Sequence, residues 1–161
     1  MATTIHFEFK EFLKLLEQNH VEYLVVGGYA VSYHGYVRPT ADFDIWVAPT
    51  VENAKKVFRV LGEFGFPTAN MTETSLAEIG VGVRTGVPPL RLEVITFADG
   101  LEFFAAYKNR IRANMDGIEV DMLSLDDLKI NKQTVGRNKD LADLDHLPGG
   151  YLDAKSKQPP N

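Results

Sequence analysis

No cysteine occurs among the 161 residues, which excludes disulfides, thiolate metal centres and cysteine nucleophiles and fits a reducing compartment. Histidine is scarce as well. His6, His20, His34 and His146 are scattered, and none forms the i, i+4 pair of a helical zinc site. Basic residues number 17 against 22 acidic ones, a formal net charge of −5, so the average field repels nucleic acid and any such partner must be met by a local basic patch. No apolar run reaches membrane-spanning length, and Met1-Ala2-Thr3-Thr4-Ile5-His6 lacks the basic and apolar regions of a secretory leader. The expectation is a soluble, cytoplasmic protein with no membrane partner. The Gly-Lys-Ser/Thr of a Walker A loop and the dinucleotide-binding glycine fingerprint are also missing.

What is present is enough apolar surface, 45% of residues, for one proper core, so residues 1–150 are expected to form a single domain and 151–161 a flexible tail. Helical spacing of Phe9, Phe12, Leu13 and Leu16 predicts an amphipathic helix from Phe7 to about Asn19, followed by a buried strand over Tyr23–Val26. A short helix is expected from Tyr29 to His34, with Gly35 ending it. Asp42–Val47 alternates as a strand, with Phe43, Ile45 and Val47 on one face and Asp42, Asp44 and Trp46 on the other. Val51–Phe64 reads as a helix stopped by Gly65, and Ala69–Leu76 as a loop. Strands are expected at Ile79–Val83 and Leu90–Ile95, joined across Gly86, Pro88 and Pro89, and a helix at Leu101–Tyr107. A hairpin turns at Asp116-Gly117 between Arg110–Asn114 and Ile118–Leu123. Ser124 caps a helix running to Val135, and Asn138 opens a last one whose Leu141, Leu144 and Leu147 face inward. Helices and strands alternate first and hairpins follow, which predicts an α/β or α+β chain with helices packed on a mixed sheet.

Asp42 and Asp44 leave the same face of their strand with Cβ atoms about 6.6 Å apart, a spacing at which two carboxylates can share magnesium ions. Phosphoryl or nucleotidyl transfer uses such a pair, one ion activating the attacking hydroxyl and a second neutralising pyrophosphate. The strand is too apolar to be an exposed acidic edge. An EF-hand is excluded because Trp46 stands where a third oxygen ligand belongs. Gly27-Gly28 lies at a strand-to-helix junction, where a phosphate chain could approach unpaired N–H groups. Glu93, between Leu92 and Val94, is the candidate third carboxylate; the plain alternative is an ion pair with Arg91 or Arg84, and Asp121 is the reserve choice. Arg38, Lys132 and Arg137 are the cations expected at a triphosphate. The cluster Lys129, Lys132, Arg137 and Lys139 leaves room for RNA.

Together, Tyr23–Val26, Gly27-Gly28, Gly35, Arg38-x-Thr40-x-Asp42-x-Asp44 and Glu93 resemble the nucleotidyltransferases of the DNA polymerase beta-like superfamily, and within it the small bacterial AbiEii-type toxins and minimal nucleotidyltransferases. Asn131-Lys132, Gly136-Arg137, Lys139-Asp140-Leu141 and Asp143 are similar to that group's C-terminal helical signature. The resemblance implies a nucleotidyltransferase fold and a magnesium-dependent enzyme, with manganese as an alternative ion, that moves an NMP from an NTP to an acceptor hydroxyl and releases pyrophosphate. Asp42, Asp44 and Glu93 would be its catalytic and metal-binding acids. Gly27, Gly28, Arg38, Thr40, Lys132 and Arg137 would bind the nucleotide. Acceptors in the family include tRNA, protein hydroxyls and small molecules. The rival expectation is a non-catalytic nucleotide-binding protein that interacts with a toxin or antitoxin partner. The sequence departs from the family pattern at Glu93, where aspartate is commoner, and at Gly28, where many relatives carry serine.

Overall fold

A computed structural model of the chain describes residues 5–40, 42–87 and 91–152. Pro88, Pro89, Leu90 and most of the expected tail therefore lie outside the described residues. The helix α1 (Phe7–Gln18) buries Phe9, Phe12, Leu13 and Leu16, as its apolar stripe requires. It leads into β1 (Tyr23–Val26), buried along its whole length, and directly into α2 (Gly27–Tyr33). This helix begins at the glycines, two residues before the expected start, because Gly27 adopts a left-handed conformation with φ +68 that turns strand into helix within one residue.

The strand β2 (Asp42–Val47) and the helix α3 (Val51–Phe64) have the expected bounds. Thr50 caps α3 by accepting from the Asn53 N–H, and Gly65 closes it at φ +93. The region expected to be loop holds one short 3-10 turn, Ser75–Ala77. Next come β3 (Gly82–Thr85), shifted toward the C-terminus of its expected position, β4 (Arg91–Ile95) and α4 (Phe103–Lys108). The hairpin β5 (Ile111–Met115) and β6 (Ile118–Met122) turns through Asp116 and Gly117, both at positive φ, as a tight two-residue turn demands. The last helices are α5 (Leu125–Val135) and α6 (Asn138–His146).

Among the described residues, six strands form one mixed sheet in the order β3-β4-β2-β1-β6-β5. The pairs β2/β4 and β1/β6 are parallel, and the other three are antiparallel. Phe43 points to the face covered by α1, where its ring stacks on Phe9 at 4.8 Å, and α3 joins that layer through Phe12 and Phe64 at 5.1 Å. On the opposite face Trp46 is buried against Phe103 of α4 at 5.2 Å. The face carrying Asp42 and Asp44 is thus open at one end of β2 and sealed by aromatics at the other. No described helix is long and apolar enough to cross a membrane.

The two strands that carry the site are fastened behind it by Asn53. Its side-chain nitrogen donates to the carbonyls of Glu22 and Ala48, and its oxygen accepts from the Glu22 N–H at 2.8 Å. Asn53→Ala leaves these backbone groups without partners and is expected to lower stability by roughly 2–4 kcal/mol, measured by urea unfolding. An unchanged midpoint would show that the amide is not a structural tie.

Candidate active site

Strand pairing sets the geometry. The parallel register of β2 and β4 places Asp44 beside Glu93 and Asp42 beside Arg91, while the antiparallel register of β1 and β2 places Val26 opposite Asp44. The next residue, Gly27, therefore meets the Asp44 carboxylate, and a Cβ on Gly27 would collide with Asp44 Oδ2. A Cβ on Gly28 would likewise collide with Thr40 Oγ1 and stand 3.4 Å from Arg38 Nη1. The paired glycines are needed first for the chain's own Asp44 and Thr40. A cavity of about 510 Å³ opens beside them, and Gly27, Gly28, Arg38, Thr40, Asp42, Asp44, Glu93, Lys132 and Arg137 all line it.

The acids are held under strain of like charge. Burial first, then Glu93, then Asp42 push the Asp44 carboxyl up to about 7. Asp42 Oδ1 is buried without a hydrogen-bond partner, although Arg91 Nε lies 3.3 Å away. An orphaned carboxylate oxygen beside a carboxyl that retains its proton to near neutrality fits a hard divalent cation, which Asp42 and Asp44 would be the residues to hold. Glu93 is differently engaged. Its Oε2 accepts from Arg84 Nε at 2.8 Å and Nη2 at 2.6 Å, the ion pair that sequence offered as the plain alternative. Among the described residues no three acids or histidines stand together as a group that could hold one ion.

Over the acids lie α5 and α6. Lys132 is buried, its Nζ 3.1 Å from Asp140 Oδ1 and 2.9 Å from Asp143 Oδ2. Arg38 forks onto both oxygens of Asp143 at 2.7 and 2.8 Å, and Arg137 reaches Asp140 Oδ2 at 2.7 Å. Burial works to raise the carboxyls of Asp140 and Asp143, but Arg137 and Lys132 at the first, and Arg38 and Lys132 at the second, hold both below the usual range. Three cations share two acids, so one positive charge is left over to face the cavity. Exposed Lys139 adds another on its lining.

Asp140 and Asp143, which anchor the cations of the cavity wall, are residues that the sequence reading left without a role. Their signal was present, because they fall on one helical stripe with Leu144 and Leu147. Leu141, expected inside, is only half-buried. Half of the basic cluster that left room for RNA is not surface. Lys132 is buried, and Lys129 is buried with its ammonium on the Pro148 carbonyl. Asp121 does not line the cavity; it pairs with Arg110 and Arg112 at 3.3 and 3.2 Å, on the far side of β1. His34 bonds the Leu123 carbonyl at 2.8 Å and is a packing residue.

The sheet order, the helical cover and the acid face define the nucleotidyltransferase fold. Residues 6–147 match the model of a family described as "Nucleotidyltransferase of unknown function (DUF6036)", and the chain belongs to that family. It is similar in structure to TM1012 of Thermotoga maritima, a candidate nucleotidyltransferase known from a crystal structure, with a TM-score of 0.62 and 16% identity over 85% of this chain and 90% of that one. No curated protein matches the chain.

The raised Asp44 carboxyl gives a pH dependence of definite sign. The unfolded side chain releases its proton near 3.8 and the folded one near 7, so the native state binds more protons in that window and loses stability as pH rises through it. Asp44→Asn removes the penalty. In chelator it is expected to be more stable than the parent by roughly 1–3 kcal/mol at pH 8 and nearly equal to it at pH 4, by urea unfolding at both values. A difference that does not vary with pH would contradict the assignment.

Proposed function

We propose that the chain is a magnesium-dependent enzyme that transfers an NMP from an NTP to an acceptor hydroxyl and releases pyrophosphate. The observation that carries this reading is the convergence of Asp42, Asp44, Gly27, Gly28, Arg38 and Arg137 on one cavity. Asp42 and Asp44 would hold magnesium or manganese, which when bound lowers the pKa of the attacking hydroxyl and neutralises the leaving pyrophosphate. Arg137 and Lys139, exposed on the cavity wall, draw the triphosphate in, and Arg38 and Thr40 stand against Gly28 to orient it. Lys132, held in its ion pairs, supplies positive potential at a fixed place. Glu93 completes the site in this scheme as a third metal ligand or as the base that takes the acceptor's proton, and Arg84 holds only its Oε2.

Burial of Lys129 and Lys132 removes half of the cluster that left room for RNA, and this favours a protein hydroxyl or a small molecule as acceptor. A cytoplasmic setting accords with the absence of cysteine. One observation favours a second reading. With Glu93 engaged by Arg84, the chain could bind an NTP without turnover and act as an AbiEii-like member of a toxin–antitoxin pair. Both readings are separated by incubating the protein with magnesium, each labelled NTP and cell lysate. Transfer of label is expected from the parent, and Asp42→Ala is expected to reduce it to background while circular dichroism stays native. Undiminished transfer by the folded variant would sink the assignment, and NTP binding without any transfer would select the second reading.

A further inference from the structure

Glu93 stands in a row of paired residues that crosses three strands. Arg84 on β3 lies opposite it on one side and Asp44 on β2 on the other. A carboxylate between a guanidinium and a second carboxylate turns toward the guanidinium, and here both Arg84 nitrogens reach a single oxygen, Oε2. The strand β3 is the outer edge of the sheet, so this contact draws the Glu93 head group away from Asp44 and Asp42. From this arrangement we infer that Arg84 is the positioning residue of Glu93, keeping its carboxylate off the Asp42–Asp44 pair until a divalent cation arrives and competes for it.

The two ion pairs that flank the cavity differ in a way that fits this role. The Arg38–Asp143 pair is inward, with Asp143 only 3% exposed, and acts as a fixed strut. Arg84 is 55% exposed and Glu93 24%. An ion pair so open to water is weak and screened by salt, so it yields to a doubly charged ion in a way that the buried strut does not. The parallel pairing of β2 and β4 sets Glu93 next to Asp44, so a side-chain rotation is enough to bring the third carboxylate to the pair. Sequence made the ion pair and the metal ligand alternatives for Glu93. In this account they are successive states of one side chain, and Arg84 sets the balance between them.

The inference rests on Asp42 and Asp44 being the cation site, and the test separates the two claims. Manganese is titrated into the full chain and the free ion is read by electron paramagnetic resonance, for the parent and for Arg84→Gln, Arg84→Lys, Glu93→Gln and the Arg84→Gln, Glu93→Gln double variant. Arg84 lies on an exposed edge, and Gln keeps the size of Glu93, whose side chain is outside the apolar core, so these changes leave the core untouched. Arg84→Gln is expected to tighten manganese binding roughly two- to fivefold, the factor that an exposed ion pair is worth, and Arg84→Lys to restore most of the parent value. In the Glu93→Gln background, loss of Arg84 is expected to change nothing. An unchanged affinity in Arg84→Gln overturns the inference. So does an equal gain in the Glu93→Gln background, which would make Arg84 a general repulsive charge. If the parent binds no manganese that Asp42→Ala removes, the cation site falls, and Arg84's role falls with it.

Discussion

The rest of the site depends on a repulsion that the sheet itself imposes. Two neighbouring parallel strands bring Asp44 and Glu93 side by side, with Asp42 two residues away on the same face. Nothing in backbone pairing relieves that charge, so side chains from elsewhere do. Arg91 comes to Asp42, Arg84 takes one oxygen of Glu93, and Asp44, which has no such partner among the described residues, retains its proton to about 7. A fold that concentrates acids this way sacrifices stability at neutral pH. The same concentration is what a divalent cation requires, which is why the arrangement reads as a site.

The second constraint is how the two halves of the chain are tied. Arg38 and Asp143 are 105 residues apart in sequence, yet their fork joins the segment before β2 to α6. Lys132 on α5 bridges Asp143 to Asp140, and Arg137 fixes Asp140 from the turn between the two helices. With both acids nearly inaccessible and Lys132 shared between them, removing either acid leaves the buried ammonium and a guanidinium competing for one carboxylate, so the network behaves as a unit. Its consequence is positional. The network ties the helical cover to the segment that leads into the acid strand, and the cavity lies between them.

Much of this was legible in the sequence where local rules act alone. The bounds of β2 and α3 follow from strict alternation and from a Thr50 cap with a Gly65 stop, signals that need no tertiary partner. The nine candidate site residues line one cavity, and for the acids and glycines that meeting follows from strand pairing, whereas for Lys132 and Arg137 it depends on where the helices lie. What the sequence did not disclose depends on register. Whether Glu93 faces a cation or Arg84 turns on which residue of β3 lies opposite it. The burial of Lys129 and Lys132 depends on α5 lying against α6 and the Pro148 segment, and composition alone makes such lysines look like surface. The glycines show a third kind of gap. They were read as space for a ligand, and the structure shows them first as space for Asp44 and Thr40.

The central claim is that Asp42 and Asp44 hold a cation beneath an NTP whose triphosphate lies toward Gly27 and Gly28. Anomalous diffraction from crystals grown with manganese and a non-hydrolysable NTP tests it most directly. The account requires a manganese peak coordinated by both Asp42 and Asp44, with the triphosphate between it and the Arg38–Arg137 wall. A nucleotide bound at another surface, or a triphosphate in the cavity with no metal peak at the acid pair, would contradict it.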